Sequence, residues 1–264
     1  MNSIQDKLKA FERLLTIMDE LRSQCPWDKK QTLESLRTLT IEEVYELADA
    51  ILKNDLQEIK KELGDILLHI VFYAKIGTEK NSFDIADVTN ALCDKLVFRH
   101  PHIYGDVKVA NEREVADNWE ALKLKEKNGK KGEKNTVLGG VPESLPALVK
   151  ANRIQDKARG VGFDWEERSQ VWDKVNEEMS ELKHEIEQQD FDKTEQEFGD
   201  LFFSLINAAR LYGINPENAL ERTNRKFIKR FNYLEEKTIQ QGKSLHNMSL
   251  SEMDKFWEEA KKID

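Results

Sequence analysis

Four carboxylates in the second half of the chain, Glu178, Glu181, Glu197 and Asp200, are spaced to act together. Each adjacent pair is separated by three residues, so in helical segments each pair shares one face. A turn near residue 189 lies eight residues from both Glu181 and Glu197, and eleven from both Glu178 and Asp200. An antiparallel helix hairpin therefore brings all four level. Converging carboxylates repel one another and hold protons unless a cation sits among them. Mg²⁺ suits such a site, because it prefers carboxylate and water oxygens and phosphate oxygens can complete its shell. Mn²⁺ shares that ligand preference and is an acceptable substitute. One or two such ions would polarise a phosphorus centre and neutralise polyphosphate oxygens. With the other carboxylates holding metal, Glu178 is the candidate for activating water.

The same arrangement occurs earlier in the chain. Residues 40–76 superimpose without a gap on residues 175–211, with ten of 37 positions identical, including EExxEL, an aspartate at Asp55 and Asp190, and ExGD. Glu43, Glu46, Glu62 and Asp65 thus form a second candidate metal site. The likeness continues through Lys95 and Arg99, which match Lys226 and Arg230, and through WEALK from Trp119, which resembles WEEAK from Trp257. A repeat of this length implies duplicated structural units.

The two copies differ around their acids. Lys174 and Lys193 each stand one turn before a quartet glutamate, where the first copy has Leu39 and Glu58. Ser204 and Asn207 follow Asp200 on the carboxylate stripe, where the first copy has His69 and Phe72; Asn224 replaces Cys93. Lysine, arginine and amide groups beside metal-binding carboxylates suit triphosphate oxygens. The second quartet is therefore the expected catalyst, and the first copy is expected to be structural or regulatory.

The elements that position these residues read as helices. With 39% hydrophobic and 34% charged residues, the 264-residue chain can bury cores, and 5 Pro and 12 Gly are too few for a turn-rich β fold. Helices are expected near 4–22, 33–53, 56–76, 84–99, 168–188, 191–212 and 216–240, with short final helices carrying Trp119 and Trp257. The first places Leu8, Phe11, Leu15 and Met18 on one stripe, and CPWD at 25–28 breaks the chain after it. Asp55 and Asp190 are expected N-caps. The fold class is all-α, with helical domains at 1–124 and 140–264 joined by a charged, aperiodic linker over 125–139.

The composition also narrows the setting. Two cysteines, no basic-then-apolar leader and no long apolar run point to a cytoplasmic protein without a membrane span. A formal net charge of -9 argues against nucleic acid as a partner.

Taken in order, CPWD (25–28), EExxE (42–46), ExxD (62–65), RHPH (99–102), SLPAL (144–148), VGFDW (161–165), EExxE (177–181) and ExxD (197–200) closely resemble the MazG family, tandem-domain members of the all-α NTP pyrophosphatase superfamily. The resemblance covers nearly the whole chain. It implies hydrolysis of canonical and noncanonical nucleoside triphosphates between the α and β phosphates, releasing nucleoside monophosphate and pyrophosphate, in a role limiting aberrant triphosphates. It also implies Mg²⁺ held by Glu178, Glu181, Glu197 and Asp200, and nucleotide contacts from Lys174, Lys193, Lys226, Arg230 and Trp257. A homodimer whose C-terminal domain is catalytic is implied as well. Two rivals are a non-catalytic, metal-dependent helical interaction protein and a phosphohydrolase attacking a different phosphate bond.

Overall fold

The computed structural model describes residues 1–109, 111, 114–115, 118, 122, 136–240 and 242–263. The chain forms two compact units, Met1–Val109 and Ala110–Asp264. Every regular element among the described residues is helical, as the all-α reading expects. The stretch 125–135 and Trp119 lie outside the described residues.

The first unit contains α1 (Ile4–Gln24), a 3₁₀ turn (Asp28–Lys30), α2 (Leu33–Lys53), α3 (Leu56–Glu79), α4 (Ile85–Arg99) and a single turn, α5 (Pro101–Tyr104). The second contains α6 (Ala147–Arg159), α7 (Gln170–Gln188), α8 (Phe191–Leu211), α9 (Pro216–Gln240), a 3₁₀ turn (Leu245–Asn247) and α10 (Leu250–Ala260). α6 has no counterpart among the helices expected from sequence.

Each unit is organised by one tight hairpin, α2–α3 and α7–α8. The two turns are built alike. Asn54 (φ 55°) and Gln189 (φ 58°) end the first helix in the left-handed conformation. The aspartate that follows then caps the next helix. Asp55 accepts from the Gln57 and Glu58 amides, and Asp190 from the Lys193 amide. A two-residue connection leaves no slack, so the helices run antiparallel with fixed register. That register brings the paired acids level.

The cores differ. Met18, Leu36, Val71, Phe72 and Ile76 form the first, with Phe11, Leu15, Leu39 and Tyr73 packed against them. The α1 stripe is thus buried at Met18, half-buried at Phe11 and Leu15, and exposed at Leu8. In the second unit Val171, Val175, Leu182, Leu201 and Ala208 make the core. This set contains no aromatic side chain, and a cavity opens beside it.

Candidate active site

On α7 and α8, carboxylate oxygens of Glu178, Glu197 and Asp200 lie within 4.8 Å of one another. Glu178 is buried, although carboxylates rarely are unless paired. Its Oε1 is held by Lys174 Nζ at 2.8 Å, and hydrogen bonds to Glu177 and Glu178 push the Lys174 proton affinity up. Glu197 Oε2 is buried with no hydrogen-bond partner. Partial burial, then the charges of Glu181, Asp200 and Glu178, raise the Glu197 carboxyl above its ordinary range. Glu181, the fourth acid, is exposed and stands outside this group. It shares a shallow hollow with His184, Glu185 and Glu197.

The donor set fits a hard divalent cation. All three ligand candidates are carboxylates, and the unpartnered, buried oxygen of Glu197 is the atom a cation would satisfy. In the first unit Glu43, Glu62 and Asp65 form the equivalent group within 4.8 Å, again without the second ExxE acid, Glu46. Glu62 is 1% exposed, and Lys61 Nζ reaches its Oε1 at 2.9 Å while Oε2 has no partner. Burial, then Asp65, Glu46 and Glu62, raise the Glu43 carboxyl.

What separates the copies is the kind of space beside the acids. In the first unit a hollow of about 660 Å³ borders Glu46 and Glu62 and is walled largely by further carboxylates, Glu42, Asp49, Asp55 and Glu58. A cavity of about 710 Å³ opens beside the second cluster, with Glu178 and Asp200 in its wall together with Lys174, Ser204, Asn207 and Arg210. Most of the remaining wall is apolar (Leu138, Ile154, Ala158, Phe163, Trp165, Val171 and Phe203), with Gln155 and Asp164 set among these side chains. In the first unit the matching Leu39 and Phe72 belong to the hydrophobic core. His69, matching Ser204, is buried, with Nδ1 2.8 Å from Thr40 Oγ1, which is itself 2.7 Å from Tyr73 Oη. Burial lowers the His69 proton affinity, against the opposing pull of Asp65.

Residues without a sequence-derived role shape the second cavity. Gly162 takes φ +86°, a left-handed value that favours glycine, and turns the chain so that Phe163, Asp164 and Trp165 face the cavity. Arg210 grips Asp164 through both guanidinium nitrogens, Nη1 at 3.1 Å from Oδ2, and donates from Nε to Asn207 Oδ1 at 3.1 Å. Burial opposes ionisation of Asp164, yet the Arg210 bond and the Trp165 amide hold its carboxyl below the usual range. Gln155 enters from α6. VGFDW hints at this loop, and Arg210 follows Asn207 by three residues on the same stripe; Gln155 has no such signal.

Five expected ligand contacts stand elsewhere. Lys193 is exposed, 3.7 Å from both Glu185 and Asp190. Asn224 and Lys226 are exposed on α9, with Asn224 Nδ2 donating to Glu221 at 3.3 Å. Trp257 packs on Phe227 with ring centroids 5.0 Å apart, and the Arg230 guanidinium lies 5.9 Å from the indole centroid. None of these five lines the cavity. The structure gathers Lys174, Ser204 and Asn207 with Glu178 and Asp200, and joins Arg230 to Trp257 on a separate α9–α10 surface.

Comparison with known proteins places this geometry. A family model for the MazG nucleotide pyrophosphohydrolase domain matches residues 31–104 and 167–234, spanning both acidic hairpins. The chain belongs to the MazG family. Membership makes it a nucleotide pyrophosphohydrolase. It is 44% identical over 95% of its length to the nucleoside triphosphate pyrophosphohydrolase/pyrophosphatase MazG of Thermotoga maritima, covering 95% of that protein. It is 40% identical over 97% of its length to the nucleoside triphosphate pyrophosphohydrolase of Escherichia coli K12, covering 98% of it. The uncharacterized protein YabN of Bacillus subtilis is 46% identical over 96% of this chain, which spans 52% of YabN. The duplicated MazG match agrees with the repeat legible in the sequence. No helix among the described residues is long and apolar enough to cross a membrane.

Proposed function

We propose that the second unit hydrolyses nucleoside and deoxynucleoside triphosphates at the α–β phosphoanhydride, releasing nucleoside monophosphate and pyrophosphate, with Mg²⁺ as cofactor. The observation that carries this reading is the opening of a ligand-sized cavity onto the Glu178, Glu197 and Asp200 group. An aromatic-walled recess suits a nucleobase, and its acidic, lysine-bearing end suits a metal-bound triphosphate. Both halves of a nucleotide find matching chemistry in one pocket.

Glu178, Glu197 and Asp200 would hold the cation, which when bound supplies charge neutralisation and polarisation of the phosphate oxygens. Lys174 is placed to meet phosphate oxygens from its position on Glu178. Asn207, fixed by Arg210, is placed to orient the ligand between base and phosphates. Sequence favours Glu178 for taking the proton of the attacking water, but Lys174 engages its Oε1. Glu181, exposed beside Glu197 in the neighbouring hollow and without such a partner among the described residues, is the second candidate acceptor. Glu181→Gln is then expected to lower kcat while the Mg²⁺-dependent rise in melting temperature persists. Loss of both would return Glu181 to the metal ligands.

The first unit has its own acid group, but its Leu39 and Phe72 are packed into the core and the hollow at Glu62 is walled largely by further carboxylates, which supports a structural or regulatory part. Exposed apolar side chains on α9, including Phe227, Ile228 and Phe231, support a homodimer. A broad substrate range fits removal of aberrant or excess triphosphates. Product analysis tests the chemistry. Individual NTPs and dNTPs incubated with Mg²⁺ should give only monophosphate and pyrophosphate, and none with EDTA. Diphosphate plus phosphate would move the protein to another phosphohydrolase class. No turnover by well-folded protein would favour the non-catalytic interaction reading.

A further inference from the structure

Two amides, Gln155 and Asn207, line the cavity of the second unit, and they differ in what they can offer a ligand. Gln155 donates from Nε2 to the Phe203 carbonyl at 2.8 Å, and its Oε1 is sealed from the cavity. Asn207 is half-buried, and its Oδ1 accepts from Arg210 twice, from Nε at 3.1 Å and from Nη2 at 2.7 Å. A guanidinium only donates, so reversing the amide would set donor against donor. Asp164 holds Arg210 in turn, and the Arg210 side chain is only 9% exposed. The orientation of Asn207 is therefore fixed, with Nδ2 turned away from Arg210. Nδ2 has no acceptor among the described residues, and it is not sealed as Gln155 Oε1 is. Its two N–H groups are donors preset for an acceptor on a ligand.

Position says which acceptor. Asp200, Ser204 and Asn207 follow one another on the α8 stripe, so Asn207 stands about 10 Å along the axis from Asp200. That distance carries a nucleotide from its metal-bound phosphates past the sugar to the base. The Arg210–Asp164 link also ties the amide to the loop bearing Phe163 and Trp165, the aromatic side of the recess. A donor at the sugar-side edge of a base meets N3 of a purine or O2 of a pyrimidine, an acceptor that each base carries there. We infer that Asn207 anchors the nucleobase, its Nδ2 donating to that shared acceptor. The contact sets the base in place without reading its identity, in keeping with a broad substrate range. This assignment rests on the triphosphate hydrolysis proposed for the same cavity.

The test uses the full-length protein with Mg²⁺ and three substrates: ATP, 3-deaza-ATP, in which a C–H replaces N3, and 7-deaza-ATP, changed on the opposite edge. The expected kcat/KM for 3-deaza-ATP lies about tenfold or more below that for ATP, the size of one hydrogen bond, while 7-deaza-ATP stays within about twofold. Asn207→Leu and Asn207→Asp keep the size of the side chain and remove the donor. Each should abolish the preference for ATP over 3-deaza-ATP, and Asn207→Leu should slow CTP by the same factor as ATP. Equal kcat/KM for ATP and 3-deaza-ATP with wild-type protein overturns the inference without any variant. So does an equal loss with both deaza substrates, which would report a general change in the ring. Retention of the ATP preference by either folded variant overturns the role of Asn207. Failure of all three substrates to release pyrophosphate overturns the proposed hydrolysis itself, and this inference with it.

Discussion

Phe72 and Asn207 occupy the same position in the two copies of the repeat, yet Phe72 is 2% exposed in a hydrophobic core while Asn207 lines an open cavity and accepts from Arg210. The same position of a duplicated helix is thus packed into the core in one copy and forms a cavity wall in the other. Leu39 and Lys174 repeat the contrast one helix away.

The cavity is therefore expected to close when the first-unit residue is installed. Asn207→Phe should reduce turnover by at least about a hundredfold, the scale of a misplaced substrate, with helical content retained. Steady-state kinetics beside circular dichroism make the comparison. Unchanged kcat/KM in the folded variant would mean that substrate does not use this space.

Metal removal should act through the acids. The Glu197 carboxyl is raised above its ordinary value of 4.5 in the fold. Its contribution to stability is therefore fully present below that value and lost as pH rises through the higher folded one. Once Glu197 loses its proton its charge faces those of Glu181, Asp200 and Glu178, so Mg²⁺ should raise the melting temperature at pH 7–8 and do so less near pH 4. Glu197→Gln should raise the melting temperature in EDTA and shrink the Mg²⁺ response. Thermal melts with Mg²⁺ or EDTA across pH read both effects, and a Mg²⁺ response independent of pH would count against this coupling.

The Asp164–Arg210 pair predicts the opposite pH sign. The Asp164 carboxyl is held below its ordinary 3.8, so its stabilisation is present above that value and lost as pH falls through the lower folded one. Arg210→Met should cost about 2–3 kcal/mol at pH 7, between exposed and buried pairs, and much less near pH 2. Because the pair holds the 161–165 loop against the cavity, KM should rise more than kcat falls. Urea melts at the two pH values and steady-state kinetics check this.

Much of the site is legible in sequence because it is local and repeated. The acids of α7 and α8 sit at helical spacing on either side of a capped turn, and Asp55 and Asp190 mark that turn twice. α6 hides because the two residues it buries, Gln155 and Lys157, are polar and point to opposite sides, so no apolar stripe marks the helix. The Asp164–Arg210 grip joins residues 46 positions apart, and no periodicity reports such a pair. Trp257 shows the converse: a motif can be plain while its contact, with Phe227 and Arg230, is set only by how α9 meets α10.

The hairpin turn offers a test of the repeat's local physics. Gln189 holds a left-handed φ of 58°, where side chains other than glycine and asparagine are disfavoured. Gln189→Gly should stabilise the second unit by about 0.5–1 kcal/mol. A lower urea midpoint for this variant would contradict that account of the turn.

The central claim is that chemistry resides in the acid group that opens onto a cavity. Its most direct measurement is pyrophosphate release from one nucleoside triphosphate by Glu197→Gln and Glu62→Gln, matched positions in the two hairpins. The account predicts a loss of about 10²–10³-fold or more for Glu197→Gln and near wild-type release for Glu62→Gln. Abolition by Glu62→Gln with activity spared in Glu197→Gln would place the reaction in the first unit and contradict it.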